Sequence, residues 1–152
     1  MTTAVQGLDE LRALAGTDLG YTDWLQVDQE RVNTFADATD DHQWIHVDPA
    51  RAAAGPFGGT IAHGYLTLSL LIPLFGDLLA IGGVRMSVNY GLEKVRFPAP
   101  VPVGAKIRLK GQVVSADEVA GNGVQMVVDF TVEIEGSEKP ACVARAVYRH
   151  YA

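Results

Sequence analysis

An α+β fold, with one buried helix and several strands that each cover one face, is predicted by three features of this chain. The run from Tyr65 to Ile81 is apolar except at Thr67, Ser69, Pro73, Gly76 and Asp77, and a helix apolar nearly all round must be buried. Further on, Val124, Met126, Val128, Phe130, Val132 and Ile134 alternate with Gln125, Val127, Asp129, Thr131, Glu133 and Glu135. That period of two marks a strand with one covered face. Glycine-rich turns at Gly82-Gly83, Gly121-Asn122-Gly123 and Gly136-Ser137 separate such runs. The 152 residues, 48% of them hydrophobic, are enough to bury a core without disulfides. Residues 1–152 therefore read as a single domain.

The elements follow in order. A strand is expected near 22–27. Asp28 then caps a helix whose Val32, Phe35, Ala36 and Thr39 fall at helical spacing, ending near Asp40. Asp40-Asp41-His42-Gln43 forms a polar turn, and Asp48-Pro49 reads as a cap followed by a helix-starting proline. After Thr60, Gly64 opens the buried helix. Strands are expected near 84–90, 92–97, 105–116, 123–135 and 140–151. In the third of these, Ile107, Leu109 and Val113 oppose Lys106, Arg108, Lys110 and Gln112. Pro100 to Gly104 supplies another turn.

Chemistry concentrates between residues 35 and 71. Asp41 and His46 lie on a loop pinned by ordered elements at both ends, where a carboxylate and an imidazole can divide a proton transfer. The spacing alone also fits an ordinary surface turn or a helix-end hydrogen bond. The first N–H groups of the buried helix lack helical partners and carry its positive dipole end, so they can hold a carbonyl oxygen that gains negative charge. Gly64 lets a substrate approach that backbone closely. His63-Gly64 reads equally as a tight entry turn, and the two readings are compatible.

Other classes are excluded. A net charge of -6 without a clustered basic face argues against nucleic acid. The lone Cys142 lies in a strand pattern and reads as a small buried residue. No convincing ligand spacing joins the histidines to cysteines or carboxylates, so no metal is expected. The stretch after Gly64 contains Pro73 and Asp77 and is too short to span a bilayer, and no basic-then-apolar leader is visible, so the expected location is the cytoplasm.

The segments Asp40-Asp41-His42-Gln43-Trp44-Ile45-His46, Val47-Asp48-Pro49, Gly55-Pro56-Phe57-Gly58 and Ile61-Ala62-His63-Gly64-Tyr65-Leu66 resemble the signature of MaoC-like dehydratases, the (R)-specific enoyl-CoA hydratases. Arg96-Phe97, Ala99-Pro100-Val101 and Val103-Gly104 resemble the family's strand and turn after the central helix, so the likeness runs from about Trp24 onward. The resemblance implies a hot-dog fold, a curved antiparallel sheet wrapped around a long central helix, paired into a homodimer with the thioester cleft between subunits. It also implies water addition to trans-2-enoyl thioesters giving (3R)-hydroxyacyl thioesters, or the reverse dehydration. Asp41 and His46 would be the catalytic pair and Gly64 the oxyanion donor. No cofactor is implied beyond the coenzyme A or acyl carrier protein of the substrate itself. Family members carry glycine, asparagine and proline where this chain has Asp40, Gln43 and Trp44. Gln43 still offers an amide to orient Asp41 or the water. Trp44 reads as a loop anchor, and His63 as a structural hydrogen-bonding residue at the helix start. Arg85, Lys94, Arg96, Lys106 and Arg108 are candidates for a phosphate-binding rim, none assigned singly. A hot-dog thioesterase and a non-catalytic acyl-binding subunit are the alternatives.

Overall fold

The computed structural model describes all residues from Met1 to Ala152. β1 (Thr3–Gln6) and α1 (Gly7–Arg12) precede β2 (Asp18–Tyr21) and the short β3 (Leu25–Gln26). Three helices follow, α2 (Gln29–Thr39), α3 (Trp44–Val47) and α4 (Pro49–Ala53), then α5 (Gly64–Ser69) and α6 (Leu71–Leu78). The chain ends in five strands, β4 (Leu79–Gly82), β5 (Met86–Arg96), β6 (Lys106–Val119), β7 (Gly123–Ile134) and β8 (Cys142–Tyr151).

Local chemistry sets the helix starts. The Asp28 carboxylate accepts from the Arg31 N–H at 2.9 Å, and Asp48 does the same for Arg51 at 3.1 Å. Each cap satisfies one orphan donor and contributes about 1 kcal/mol. Helix α2 ends on Asp40, whose φ of 58° is left-handed, a conformation Asp tolerates better than most residues. That reversal turns the chain toward Asp41.

The central helix is interrupted rather than continuous. Pro73 has no N–H for the Ser69 carbonyl, and its ring crowds that group. The break falls at Leu70, leaving Pro73 in the first turn of α6, where its missing donor costs nothing. The helix also ends earlier than its apolar run. Leu79 turns extended, and β4 pairs in parallel with β1, Thr3 opposite Leu79.

The main sheet has six strands in the order β2-β6-β7-β8-β5, with β3 also on β6, and every pairing in it is antiparallel. Inward residues of β6, β7 and β8 (Ile107, Leu109, Val113, Val124, Met126, Val128, Phe130, Val132, Ala144, Ala146 and Tyr148) bury against Leu71, Leu74, Phe75 and Leu78 of α6. The fit is close at Gly111, where an added Cβ would come within 3.1 Å of Leu78 and 3.3 Å of Phe130. This is the expected hot-dog arrangement.

Two boundaries and one burial pattern differ from the sequence reading. The strand expected at 22–27 is only β3, because the chain pairs earlier, through β2, and continues to β6 through Thr22, whose N–H donates to Leu109 O and whose Oγ1 accepts from Leu109 N. The strands expected at 84–90 and 92–97 are the single strand β5, with register shifts at Asn89/Gly91 and Leu92/Lys94 in place of a turn. β5 is also almost wholly exposed, including Met86, Val88, Tyr90 and Leu92.

Candidate active site

The loop after α2 and the approach to α5 meet at three side chains. Ligand atoms of Asp41, His46 and His63 all lie within 4.8 Å of one another. Two hydrogen bonds and one ring stack hold them. His46 sits on α3 and is 7% exposed, with Nδ1 2.7 Å from the Ile61 carbonyl oxygen. A carbonyl only accepts, so the hydrogen of His46 is on Nδ1 and its Nε2 carries a lone pair. That Nε2 makes no hydrogen bond and is not sealed from solvent. His63 is 2% exposed and stacks on His46, ring centroids 3.8 Å apart at 23°. Its Nε2 lies 2.9 Å from the main-chain oxygen of Asp41 and 3.9 Å from Asp41 Oδ2.

The Asp41 side chain is 52% exposed at the mouth of this cluster. A water held at about 2.8 Å by two acceptors separates them by roughly 4.5 Å, so the spacing of Asp41 and His46 suits one shared water. Asp41 and a bare His46 nitrogen are both acceptors. Such a water donates a hydrogen to each and directs a lone pair outward.

Gly64 begins α5. No acceptor in the chain takes its N–H, as expected in a first turn. Phe97 lies over it: a Cβ at residue 64 would stand 3.2 Å from the Phe97 ring. His46, Gly64, Thr67, Phe57 and Phe97 line one largely apolar cavity of about 310 Å³. His46 and Gly64, with its free amide, therefore border the same space.

A second network steadies the pair and has no local sequence signal. Gln29, at the start of α2, donates through Nε2 to the main-chain oxygen of His46 at 2.8 Å and accepts through Oε1 from the buried Thr60 at 2.6 Å. It ties α2, α3 and the lead-in to α5 together. Periodicity cannot report such contacts, because the partners are far apart in the chain.

Gln43 is not brought into the cluster by any contact. Its side chain is exposed and makes no hydrogen bond, and its carbonyl accepts from the His46 and Val47 amides. Trp44 is half-buried under the Arg51 guanidinium, 4.4 Å from the ring centroid, as an anchor of the loop. His42 is half-exposed and pairs with Asp37 at 2.9 Å. Arg108, one of the basic rim candidates, is already engaged by Glu133 at 2.8 Å and lies over Tyr21 and Trp24. Cys142 is buried in β8, and desolvation pushes its thiol up to about 11.

Asp41, His46 and His63 are also a conceivable cation-binding set. His46 Nδ1 and His63 Nε2 are committed to carbonyl oxygens, and the remaining His63 nitrogen is sealed. Only Asp41 and one His46 nitrogen are left free, fewer than the three protein ligands of a catalytic zinc site. Acid/base chemistry fits the geometry better.

A family model described as MaoC like domain matches residues 10–135. The chain is 54% identical over 147 residues, 97% of both chains, to a protein of Mycobacterium tuberculosis (strain ATCC 25618 / H37Rv) named 3-hydroxyacyl-thioester dehydratase Z. Among solved structures, it superposes on an Archaeoglobus protein described as a monoamine oxidase regulatory protein with TM-score 0.80 and 20% identity, covering 100% of this chain and 99% of the other. It superposes on the (R)-hydratase from A. caviae involved in PHA biosynthesis with TM-score 0.70 and 26% identity, covering 88% and 94%. The chain belongs to the MaoC-like dehydratase family.

Proposed function

We propose that this protein is a hydro-lyase that adds water to trans-2-enoyl thioesters to give (3R)-hydroxyacyl thioesters and catalyses the reverse dehydration. The observation that carries the reading is that His46, clustered with the Asp41 carboxylate, lines one apolar cavity together with Gly64, whose helix-start amide is free. The 54% identity to a protein named as a dehydratase supports it.

Asp41 and His46 hold the water. Its oxygen bonds to C3 of the enoyl group as one of its protons passes to the pair. Electrons move through C2 toward the thioester oxygen, where negative charge gathers. The Gly64 N–H, at the positive end of the helix dipole, stabilises that oxygen. A proton from the pair then closes the C2–H bond, so atoms balance with no other reactant. Gln43 sits at the loop edge, where its amide can orient Asp41 once substrate is bound. No cofactor or metal enters this scheme; coenzyme A or an acyl carrier protein arrives as part of the substrate.

The working unit is a homodimer. Strand β5 is an unpaired sheet edge exposing Leu92 on its inner face, and the adjoining helix flank exposes Tyr65 and Ile72. Long apolar edges are normally paired or covered. A second copy would extend the sheet and shield the half-exposed Asp41. Leu92→Asp should shift the protein to monomer in light scattering. Its structured helices include none long and apolar enough to cross a membrane, and the buried thiol suits the reducing cytoplasm.

The test is an assay with crotonyl-CoA without added metal. The reading expects loss of the conjugated enoyl absorbance, a (3R)-hydroxy product on chiral analysis, and no free thiol. Thiol release without hydration would establish a thioesterase instead.

A further inference from the structure

His63 is the buried histidine that this reaction scheme leaves idle. The site could be filled at no polar cost by leucine or phenylalanine. An imidazole there leaves Nδ1 sealed from solvent and without a protein donor, and such a group in a folded core calls for an explanation. The other face of the ring supplies one. Nε2 lies 2.9 Å from the Asp41 main-chain oxygen, so the hydrogen is on Nε2 and the sealed Nδ1 is bare. The flat of the same ring lies 3.8 Å from His46, and Phe35 packs against it at 4.9 Å. One side chain thus touches both members of the reacting pair, the backbone of one and the ring of the other. The stacked imidazoles carry opposite tautomers, His46 protonated on Nδ1 and His63 on Nε2.

We propose that His63 is a positioning residue that sets the Asp41 backbone and the His46 ring plane for proton transfer, and offers a π face to the imidazolium formed when His46 takes a proton. The proposal rests on Asp41 and His46 being the reacting pair. It assigns His63 no contact with substrate.

Three substitutions separate its two contacts. His63→Gln keeps an N–H donor without the ring, His63→Phe keeps the ring without the donor, and His63→Ala removes both. Misplacing reacting groups lowers turnover more than affinity, so kcat should fall about tenfold in the Gln and Phe variants and about a hundredfold in the Ala variant, with KM within about threefold. Urea unfolding of each variant accompanies the kinetics. Wild-type kcat in all the folded variants would overturn the proposal, since packing alone would then account for the residue. If the variants do not fold, nitrogen NMR of the wild-type imidazoles at neutral pH decides. Hydrogen on Nε2 of His63 and on Nδ1 of His46 is the expected result, and hydrogen on Nδ1 of His63 overturns the proposal. That spectrum needs no turnover, so an enzyme inactive on crotonyl-CoA would refute the reaction assigned above without deciding the role of His63.

Discussion

Two histidines in this fold are both buried and differ in their surroundings. His46 is 7% exposed with Nδ1 2.7 Å from the Ile61 oxygen; His150 is 2% exposed with Nδ1 2.8 Å from Ser87 Oγ. Each has one nitrogen satisfied. The difference is what the second nitrogen meets. His150 Nε2 is sealed among core residues with no partner, whereas His46 Nε2 is open and its residue clusters with Asp41 and lines a cavity with Gly64. Burial and one hydrogen bond hold each imidazole in place, and only His46 keeps its second nitrogen open in a cluster that holds a carboxylate.

The contrast breaks first at the reacting pair. Asp41→Asn or His46→Ala should lower crotonyl-CoA hydration by about a hundredfold to ten-thousandfold, the range for a lost general acid or base. The half-exposed Asp41 permits its substitution with little change in the urea midpoint. Next in size is Gln29→Leu, which leaves the His46 carbonyl and the Thr60 hydroxyl unpartnered. It should cost about 1–3 kcal/mol in urea unfolding and lower kcat about tenfold through the displaced His46.

Gly64→Ala sharpens the amide's role. Its Cβ presses on Phe97 at 3.2 Å, but that ring is partly exposed and can give way, and alanine suits a helix better by about 1 kcal/mol. Stability should therefore stay within about 1 kcal/mol while kcat falls on the order of tenfold as the cavity narrows over the amide. A loss of stability with unchanged kcat would remove Gly64 from the scheme.

The smallest effect belongs to His150. Desolvation holds its pKa below the ordinary 6.5. The unfolded chain therefore takes up a proton that the fold resists, so stability is undiminished above pH 6.5 and declines as pH drops below it. Urea midpoints at about pH 7.5 and about pH 5.5 should differ in that direction, and His150→Gln should flatten the difference while changing kcat less than about twofold. A fall in activity matching that of His46→Ala would erase the distinction between the two sites.

Much of this architecture was legible in the sequence because its signals are local. Alternation marked β6, β7 and β8, side-chain caps marked the starts of α2 and α4, and the polar turn at residues 40–43 located Asp41 and His46. The end of the central helix was not legible: Leu79-Ala80-Ile81 is as apolar as the helix before it, and only its pairing with β1 makes it a strand. The break at Leu70 could have been read from Pro73. Gln29 and Thr60 could not, since their bonds depend on tertiary approach, and the direction of each imidazole nitrogen is a property of the assembled site.

The central claim is that Asp41 and His46 act on one water. The most direct measurement is a double-mutant cycle on kcat/KM for crotonyl-CoA with Asp41→Asn, His46→Ala and the combined variant. A shared water predicts that the combined variant is no worse than the poorer single variant, because removing either partner already ends the step. Losses that multiply would contradict the account and place the two residues in independent roles.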